Sequence, residues 1–205
     1  MDNRLIIFSA LVAGAVLAKL FAPRIYTFLK PLPLIFILVL AFLKPVFPPG
    51  LWLAALLCGL AGDIWLLSER GFIPGLLSFL LGHIFYIFAF ARQNLRDTQS
   101  TAVVFAVASV SVLAFVYFAR HLFRARNRRF ILPIFFYIAV TALFLQAALK
   151  NPLLTHAAIG AILFALSDFL LAFNKFIRPT VYAQAAVSLT YYAAQWLLAV
   201  HFGAI

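Results

Sequence analysis

Two of the chain's five acidic residues, Asp63 and Asp168, lie deep inside apolar stretches. Their surroundings are alike, Gly62-Asp63-Ile64-Trp65-Leu66 in one stretch and Ser167-Asp168-Phe169-Leu170-Leu171 in the other. A carboxylate at the centre of a membrane helix costs about 3 kcal/mol on insertion, so its default interpretation is functional. Two carboxyl groups in one low-dielectric site do not both ionise readily, so one retains its proton. Such a pair offers one acid and one base, which suits hydrolysis through an oxocarbenium-like ion.

Further polar side chains occur within the apolar stretches. His83 and Tyr86 are three residues apart and therefore share a helix face. A second stripe has helical spacing and consists of Gln184, Ser188, Tyr191 and Gln195. Because lipid does not satisfy such groups, these faces are predicted to line a cavity or another helix.

Each of these residues also has a structural interpretation. Ser167 and Ser188 are expected to bond the carbonyl of the preceding helical turn, as serines in membrane helices do. A buried histidine, or Gln195 alone, can simply join helices. The two aspartates could likewise be a buried pair that holds helices together. Close helix approach is favoured by small residues near the aspartates, namely Gly59, Gly62, Gly160, Ala161 and Ala165.

A metal site is another interpretation of two aspartates and a histidine. No His-x-x-x-His or Glu-x-x-His spacing supports it, and the residues come one per helix. The chain also lacks a Gly-x-Ser-x-Gly elbow, a P-loop and a dinucleotide-binding motif. We therefore predict neither a metal nor a cofactor.

The composition predicts an all-α integral membrane protein. Hydrophobic residues make up 66% of the chain, charged residues 10%, and the mean hydropathy is +1.10. A soluble domain averages roughly 45–50% apolar and 25% charged residues. Eight stretches approach the length that crosses a bilayer. They are Leu5–Phe21, Leu32–Phe47, Leu51–Leu67, Phe72–Ala91, Thr101–Ala119, Phe130–Leu149, Leu153–Phe173 and Val181–His201.

The eight predicted spans form a single domain over residues 1–205. The first span is expected to be retained rather than cleaved, and the second to be kinked or short because it contains Pro33 and Pro45. Shifting Asp63 by 105 residues places it on Asp168 and Tyr86 on Tyr191. This weak repeat suggests two parallel four-helix halves, 1–98 and 99–205, with both aspartates at equal depth, about a turn and a half from the helix end.

Basic residues predict the orientation of the chain. With eight spans, one side carries eleven lysines and arginines: Lys19, Arg24, Lys30, Arg70, Arg120, Arg124, Arg126, Arg128, Arg129, Lys175 and Arg178. The other side carries five: Arg4, Lys44, Arg92, Arg96 and Lys150. The positive-inside rule makes the first side cytoplasmic and both termini non-cytoplasmic. The Arg120 to Arg129 cluster is expected to bind anionic lipid headgroups, and no nucleic-acid module accompanies it. The single cysteine, Cys58, excludes an internal disulfide.

Four segments resemble the signature of the YhhN-type lysoplasmalogenase family. They are Gly62-Asp63-x-x-Leu66, Gly82-His83-x-x-Tyr86, Ser167-Asp168-x-x-Leu171 and Tyr191-Tyr192-x-Ala194-Gln195. The resemblance implies cleavage of the vinyl ether bond of a lysoplasmalogen, without a known cofactor, in a bacterial inner membrane. Asp63 and Asp168 would be the acid/base pair. The supporting or substrate-orienting residues would be His83, Tyr86, Ser167, Lys175, Tyr191, Tyr192 and Gln195.

On this hypothesis a lysophospholipid enters from the cytoplasmic leaflet. Its headgroup is expected near Arg70, Asn174, Lys175 and Arg178, and its tail along walls rich in phenylalanine. The alternative is a proton-coupled transporter, because carriers also combine parallel repeats with intramembrane carboxylates. Both aspartates lie toward one side rather than at the midplane, which favours the enzyme.

Overall fold

The computed structural model describes residues 3–44, 50–93, 100–151 and 155–205. This part of the chain contains no strand, which confirms the predicted all-α class. Short 3₁₀ turns at Glu69–Gly71 and Arg128–Phe130 precede the helices that begin at Phe72 and Ile131. The α-helices are α1 (Asn3–Phe21), α2 (Pro23–Leu29), α3 (Leu32–Phe42), α4 (Gly50–Trp65), α5 (Phe72–Ala91), α6 (Thr101–Arg124), α7 (Ile131–Ala148), α8 (His156–Phe176) and α9 (Val181–His201).

Within these ranges, six segments are long and apolar enough to cross a membrane. They are Asn3–Phe21, Pro23–Phe42, Glu69–Ala91, Thr101–Arg124, Arg128–Ala148 and His156–Phe176. The chain is therefore a multi-pass membrane protein, while the predicted number of eight spans is not confirmed. The third predicted span forms α4, whose 16 residues reach about 24 Å across a hydrocarbon core of about 30 Å. The eighth forms α9, which has the length but carries the polar stripe.

The region around the second predicted span differs from the expectation. Pro23 and Arg24 lie between the first two predicted spans, but they begin α2, because proline fits the first turn of a helix without losing a hydrogen bond. Lys30 and Pro31 then form a turn that separates α2 from α3, which starts at Leu32. This turn falls ahead of Pro33, and residues 45–47 of that predicted span lie outside the described residues.

The helices pack in pairs around a core dominated by aromatic side chains. The closest partners are α8 with α9 and α4 with α5, and α9 also contacts α1 and α3. The largest completely buried side chains are those of Trp52, Tyr86, Tyr192, Phe118, Phe144 and Phe164. The α4–α5 and α8–α9 pairs each carry one of the two aspartates, so this packing brings the predicted site residues toward the centre of the bundle.

The α6 helix lies at the edge of the bundle. Only Phe118 and Leu122 of its 24 residues are buried, in a small cluster with Ile134 of α7. Large apolar side chains such as Phe105 and Leu113 point outward. An exposed apolar surface of this kind is what a helix presents to lipid chains.

Candidate active site

Asp63 and Asp168 both line one small space, the inner cavity, of about 20 Å³. This volume accommodates about one water molecule. Asp63 projects from the last turn of α4, and Asp168 lies about two turns before the end of α8. The predicted distance of a turn and a half from each helix end is therefore too long for Asp63 and too short for Asp168. Both carboxyl groups nevertheless line the same inner cavity.

A buried lysine accompanies Asp63. Lys30 Nζ lies 3.4 Å from Asp63 Oδ1, and both side chains are 5% exposed. The backbone of Lys30 is held on both sides, since its N–H donates to the carbonyl of Tyr26 (2.9 Å) and its carbonyl accepts from the hydroxyl of Tyr192 (2.6 Å). The positive-inside rule groups Lys30 with the basic residues of the predicted cytoplasmic side, but the side chain is buried inside the bundle. A buried ion pair persists only when such supporting geometry fixes it.

Asp168 has different neighbours. The Tyr137 hydroxyl donates a hydrogen bond to Asp168 Oδ1 (3.0 Å), and His83 Nε2 lies 3.3 Å from Oδ2. His83 is completely buried among the rings of Tyr137, Phe144 and Phe164, at centroid distances of 4.6–5.7 Å. Across the described ranges, no lysine or arginine lies within ion-pair distance of Asp168. The two carboxyl groups thus have unlike electrostatic surroundings.

The predicted polar residues of α5 and α9 meet beside α4. The Tyr86 hydroxyl donates to Gln195 Oε1 at 2.6 Å, and both residues are completely buried. Gly59 of α4 makes room for this contact. A Cβ atom there would lie 2.5 Å from the Tyr191 hydroxyl and 3.1 Å from Gln195 Nε2. The absence of a side chain at Gly59 therefore allows the polar face of α9 to pack directly on α4.

The two serines make different hydrogen bonds. Ser188 donates to the carbonyl of Gln184 (3.3 Å) in the preceding turn, which agrees with its structural interpretation. Ser167 instead donates to the carbonyl of Val187 (3.4 Å) on the neighbouring helix, so the expected bond within its own helix is wrong. Ser167 also lines the inner cavity and links α8 to α9 next to Asp168.

A polar pocket of about 460 Å³ adjoins the inner cavity and shares Leu66, Leu171 and Gln184 with it. Its other polar lining residues are Lys19, Ser68, Glu69, Asn174 and Lys175. Lys175 Nζ lies 4.9 Å from the centre of the Phe72 ring. Of the four residues predicted to lie near a headgroup, Asn174 and Lys175 line this pocket, whereas Arg70 and Arg178 do not.

An apolar pocket of about 130 Å³ adjoins the other side of Asp168. Helices α5 to α8 form it, with Phe118, Ile134 and Phe169 among its lining residues. It shares Asp168 and Leu171 with the inner cavity. Asp168 therefore lines both the apolar pocket and the inner cavity. Of the three spaces, Asp63 lines only the inner cavity.

Comparison with known proteins identifies the family. The YhhN family profile matches residues 25–202, which is most of the chain. The chain belongs to the YhhN family. Over 146 residues it is 32% identical to human lysoplasmalogenase TMEM86B, covering 70% of this chain and 59% of the human protein. The pig lysoplasmalogenase TMEM86B is 33% identical over 177 residues, covering 82% of this chain and 71% of that protein.

A bacterial relative gives the same similarity. Lysoplasmalogenase of Mycobacterium bovis is 32% identical to this YhhN-family chain over 160 residues, covering 74% of the chain and 60% of the relative. The chain thus spans less than two thirds of the human and mycobacterial relatives. No solved structure matches the chain.

Two residues of this YhhN-family site were missed by sequence analysis. Tyr137 carries a hydroxyl in the middle of the apolar helix α7, and this polar group within a predicted span was an available signal. Lys30 directly precedes Pro31 between two apolar segments, where a lysine is easily taken for a loop residue. Within the described residues no three His, Cys, Asp or Glu side chains are grouped to hold a metal ion.

Proposed function

We propose that this protein is a lysoplasmalogenase. It hydrolyses the vinyl ether bond of a lysoplasmalogen to a fatty aldehyde and a glycerophosphoethanolamine or glycerophosphocholine. Asp63 and Asp168 act as the acid/base pair. The observation that carries this proposal is the position of the two carboxyl groups on a water-sized cavity between a polar pocket and an apolar pocket. The names of the relatives support the same activity.

The shape of the site matches the parts of a lysolipid. The alkenyl tail occupies the apolar pocket, where burial of each methylene stabilises the complex by about 0.8 kcal/mol. The phosphate-bearing headgroup lies in the polar pocket beside Lys175, Lys19 and Asn174. The vinyl ether joins these two parts, so it falls next to Asp168 and the inner cavity.

Other polar residues around the cavity support the pair. His83 and Tyr137 orient Asp168, and Tyr192 fixes the backbone of Lys30 beside Asp63. Tyr86, Tyr191 and Gln195 hold α5 and α9 against α4. Ser167 keeps α8 and α9 in register at the cavity.

The proposed membrane arrangement follows the basic residues. The arginines from Arg120 to Arg129 are exposed at the end of α6 and the start of α7. Arg128 and Arg129 lie over the rings of Phe123 and Phe130, respectively. Guanidinium groups anchored on interfacial aromatic rings suit contact with anionic headgroups. We place this end in the cytoplasm of a bacterial cell, the protein in the inner membrane, and both termini on the opposite side.

The first experiment measures aldehyde release from a 1-alkenyl lysophosphatidylethanolamine by the purified protein. The wild type should turn over this substrate and leave the matching saturated 1-alkyl ether intact, because only the alkenyl group is activated by carbon protonation. Asp63→Asn and Asp168→Asn should each lower turnover by at least a hundredfold. Asp97→Asn, which changes an aspartate of a predicted loop, is the matched control and should retain turnover.

The transporter alternative makes a different prediction. A carrier would give proton-dependent uptake into proteoliposomes and no aldehyde. Folded wild-type protein that releases no aldehyde, or aspartate variants that keep turnover within a few fold, would contradict the proposal.

A further inference from the structure

The two carboxyl groups of the site differ in their charged and titratable neighbours. Asp63 faces Lys30 at the end of α2, with Tyr26, Tyr191 and Tyr192 also lining the cavity. Asp168 faces Tyr137 of α7 and His83 of α5. Lys30 therefore lies within ion-pair distance of Asp63, and a second cation, Lys19, lies beyond it over the ring of Tyr26. The neighbours of Asp168 are instead a neutral hydroxyl and an imidazole enclosed by aromatic rings.

Charge balance decides where a proton belongs in this pair. If both groups were ionised, the Asp168 carboxylate would lie in a largely dehydrated space with no lysine or arginine of the described residues within ion-pair distance, which is unfavourable. One proton removes that charge. The carboxylate beside Lys30 is already compensated, so the proton belongs on the other group. His83 Nε2, 3.3 Å from Asp168 Oδ2, is a suitable acceptor for that proton when the imidazole is neutral with its hydrogen on Nδ1.

The positions of the pockets assign the same roles to the two aspartates. A vinyl ether is protonated at its second alkenyl carbon. This carbon carries the aliphatic tail and lies on the tail side of the ether oxygen. Asp168 lines the apolar pocket and the inner cavity, whereas Asp63 does not line the apolar pocket. A tail in the apolar pocket therefore brings the second alkenyl carbon to Asp168, and a water in the inner cavity adjoins Asp63.

We propose that Asp168 is the acid that protonates the alkenyl chain, and that Lys30 holds Asp63 as the carboxylate that activates water. This assignment rests on the proposed vinyl ether hydrolysis and adds Lys30 to the site as a positioning residue. It separates two roles that the sequence motifs leave equivalent.

The assignment gives a balanced reaction. Asp168 transfers its proton to the second alkenyl carbon, and the π electrons of the double bond form the new C–H bond. The first alkenyl carbon becomes an oxocarbenium ion, which the carboxylates of Asp168 and Asp63 stabilise. Water adds to this carbon and gives a proton to Asp63, which leaves a neutral hemiacetal.

The hemiacetal then collapses. Its hydroxyl gives a proton to the Asp168 carboxylate, the bond to the glycerol oxygen breaks, and Asp63 returns its proton to that oxygen. Both groups end in their starting states. The sequence consumes one water and requires no oxidant, reductant or further reactant.

Infrared spectroscopy tests the proton position without turnover. The chain has only five acidic residues, so the C=O stretch of a protonated carboxyl group is assignable by substitution. The wild type at neutral pH should show this band, Asp168→Asn should lose it, and Asp63→Asn should keep it. Lys30→Met should add a second acid band from Asp63, and Lys30→Arg should not. Glu69→Gln, an exposed acidic residue, is the spectroscopic control.

Each infrared outcome decides the assignment. A band lost in Asp63→Asn but kept in Asp168→Asn, or no acid band in the wild type, would overturn it. If Asp168→Asn does not fold, Asp168→Glu replaces it and should shift the band rather than remove it; an unshifted band would count against Asp168.

Turnover in D₂O provides a second test. Delivery by one positioned acid should place deuterium on a single face of the aldehyde carbon next to the carbonyl. Residual turnover of Asp63→Asn should keep this stereospecificity, and that of Asp168→Asn should lose it. The reverse pattern would refute the roles. Absence of aldehyde from the wild type would instead refute the proposed function and leave the infrared result to stand alone.

Discussion

Lys30 Nζ and Asp63 Oδ1 lie 3.4 Å apart inside the bundle. The contact joins the end of α2 to the last turn of α4, two elements that the chain separates by the whole of α3. The turn between α2 and α3 is held at the site, because the carbonyl of Lys30 in this turn accepts the hydrogen bond of the Tyr192 hydroxyl. An irregular backbone segment at membrane depth is tolerated where it is buried in protein, as this one is.

We expect Lys30→Met to be more damaging than a change of a surface lysine. Methionine keeps the length of the side chain but removes the cation beside Asp63, so this buried group must take up a proton or remain charged without a partner. Removing one partner of a buried ion pair costs about 3–5 kcal/mol in folded proteins. Thermal unfolding in detergent should show a lower midpoint, and turnover should fall at least tenfold.

The double variant Lys30→Met/Asp63→Asn separates the two effects. It removes both charges, so much of the lost stability should return while turnover stays low. Lys30→Arg, which keeps a cation, should retain most of the stability. If Lys30→Met unfolds at the same temperature as the wild type, the buried Lys30–Asp63 pair does not stabilise the fold as predicted.

Tyr137→Phe tests the hydrogen bond to Asp168. The variant removes the hydroxyl that lies 3.0 Å from Oδ1 but keeps the ring that packs on His83. Loss of one such bond is worth about 1 kcal/mol, which corresponds to roughly a fivefold lower kcat. KM should change little, because the ring still lines the apolar pocket.

The matched control is Tyr117→Phe on α6. Tyr117 is 38% exposed and lies outside the three spaces of the site, so its hydroxyl should be dispensable. Equal losses in the two variants would mean that the Tyr137 hydroxyl has no special role.

Five of the nine residues predicted for the site line one cavity, namely Asp63, Ser167, Asp168, Tyr191 and Tyr192, whereas the predicted number of eight spans is not confirmed. Six of the eight stretches predicted from apolar length and composition correspond to described helices that are long and apolar enough to cross lipid. Motif residues such as His83 and Gln195 were found because a polar group inside an apolar helix needs a partner. Lys30 was not found, because its partner is 33 residues away and only the tertiary structure brings the end of α2 near Asp63 and buries the lysine. The Ser167 bond to α9 depends in the same way on a neighbouring helix.

Gly62→Ala should disturb the site without changing any polar group. A Cβ atom at this position would lie 2.7–2.8 Å from three atoms of the Phe79 ring. Phe79 lines the inner cavity and its ring packs edge-on against Tyr191, so its displacement alters the space beside Asp63. Such overpacking costs about 1–3 kcal/mol, and we expect kcat/KM to fall at least tenfold.

Gly14→Ala is the corresponding control in α1. A Cβ atom there meets nothing within 4 Å, so the variant should keep wild-type turnover and unfold at an equal or higher temperature. Equal activity in Gly62→Ala and the wild type would show that Phe79 can move aside without consequence.

Ala114→Phe tests the apolar pocket as the binding site of the alkenyl tail. Ala114 lies on α6 and lines this pocket, and a phenyl group there takes up space that the end of a long tail would occupy. Each methylene denied burial removes about 0.8 kcal/mol of binding free energy. Because two or three methylenes are affected, KM for a long-chain substrate should rise by roughly fifteen- to sixtyfold. A short-chain substrate that does not reach α6 should bind as it does to the wild type. Turnover measured across a series of chain lengths gives this comparison directly.

Ala108→Phe adds the same group on an exposed part of α6 away from the pocket, so its chain-length profile should match that of the wild type. A uniform loss across all chain lengths in Ala114→Phe would indicate distorted packing of α6 rather than a shortened tail site.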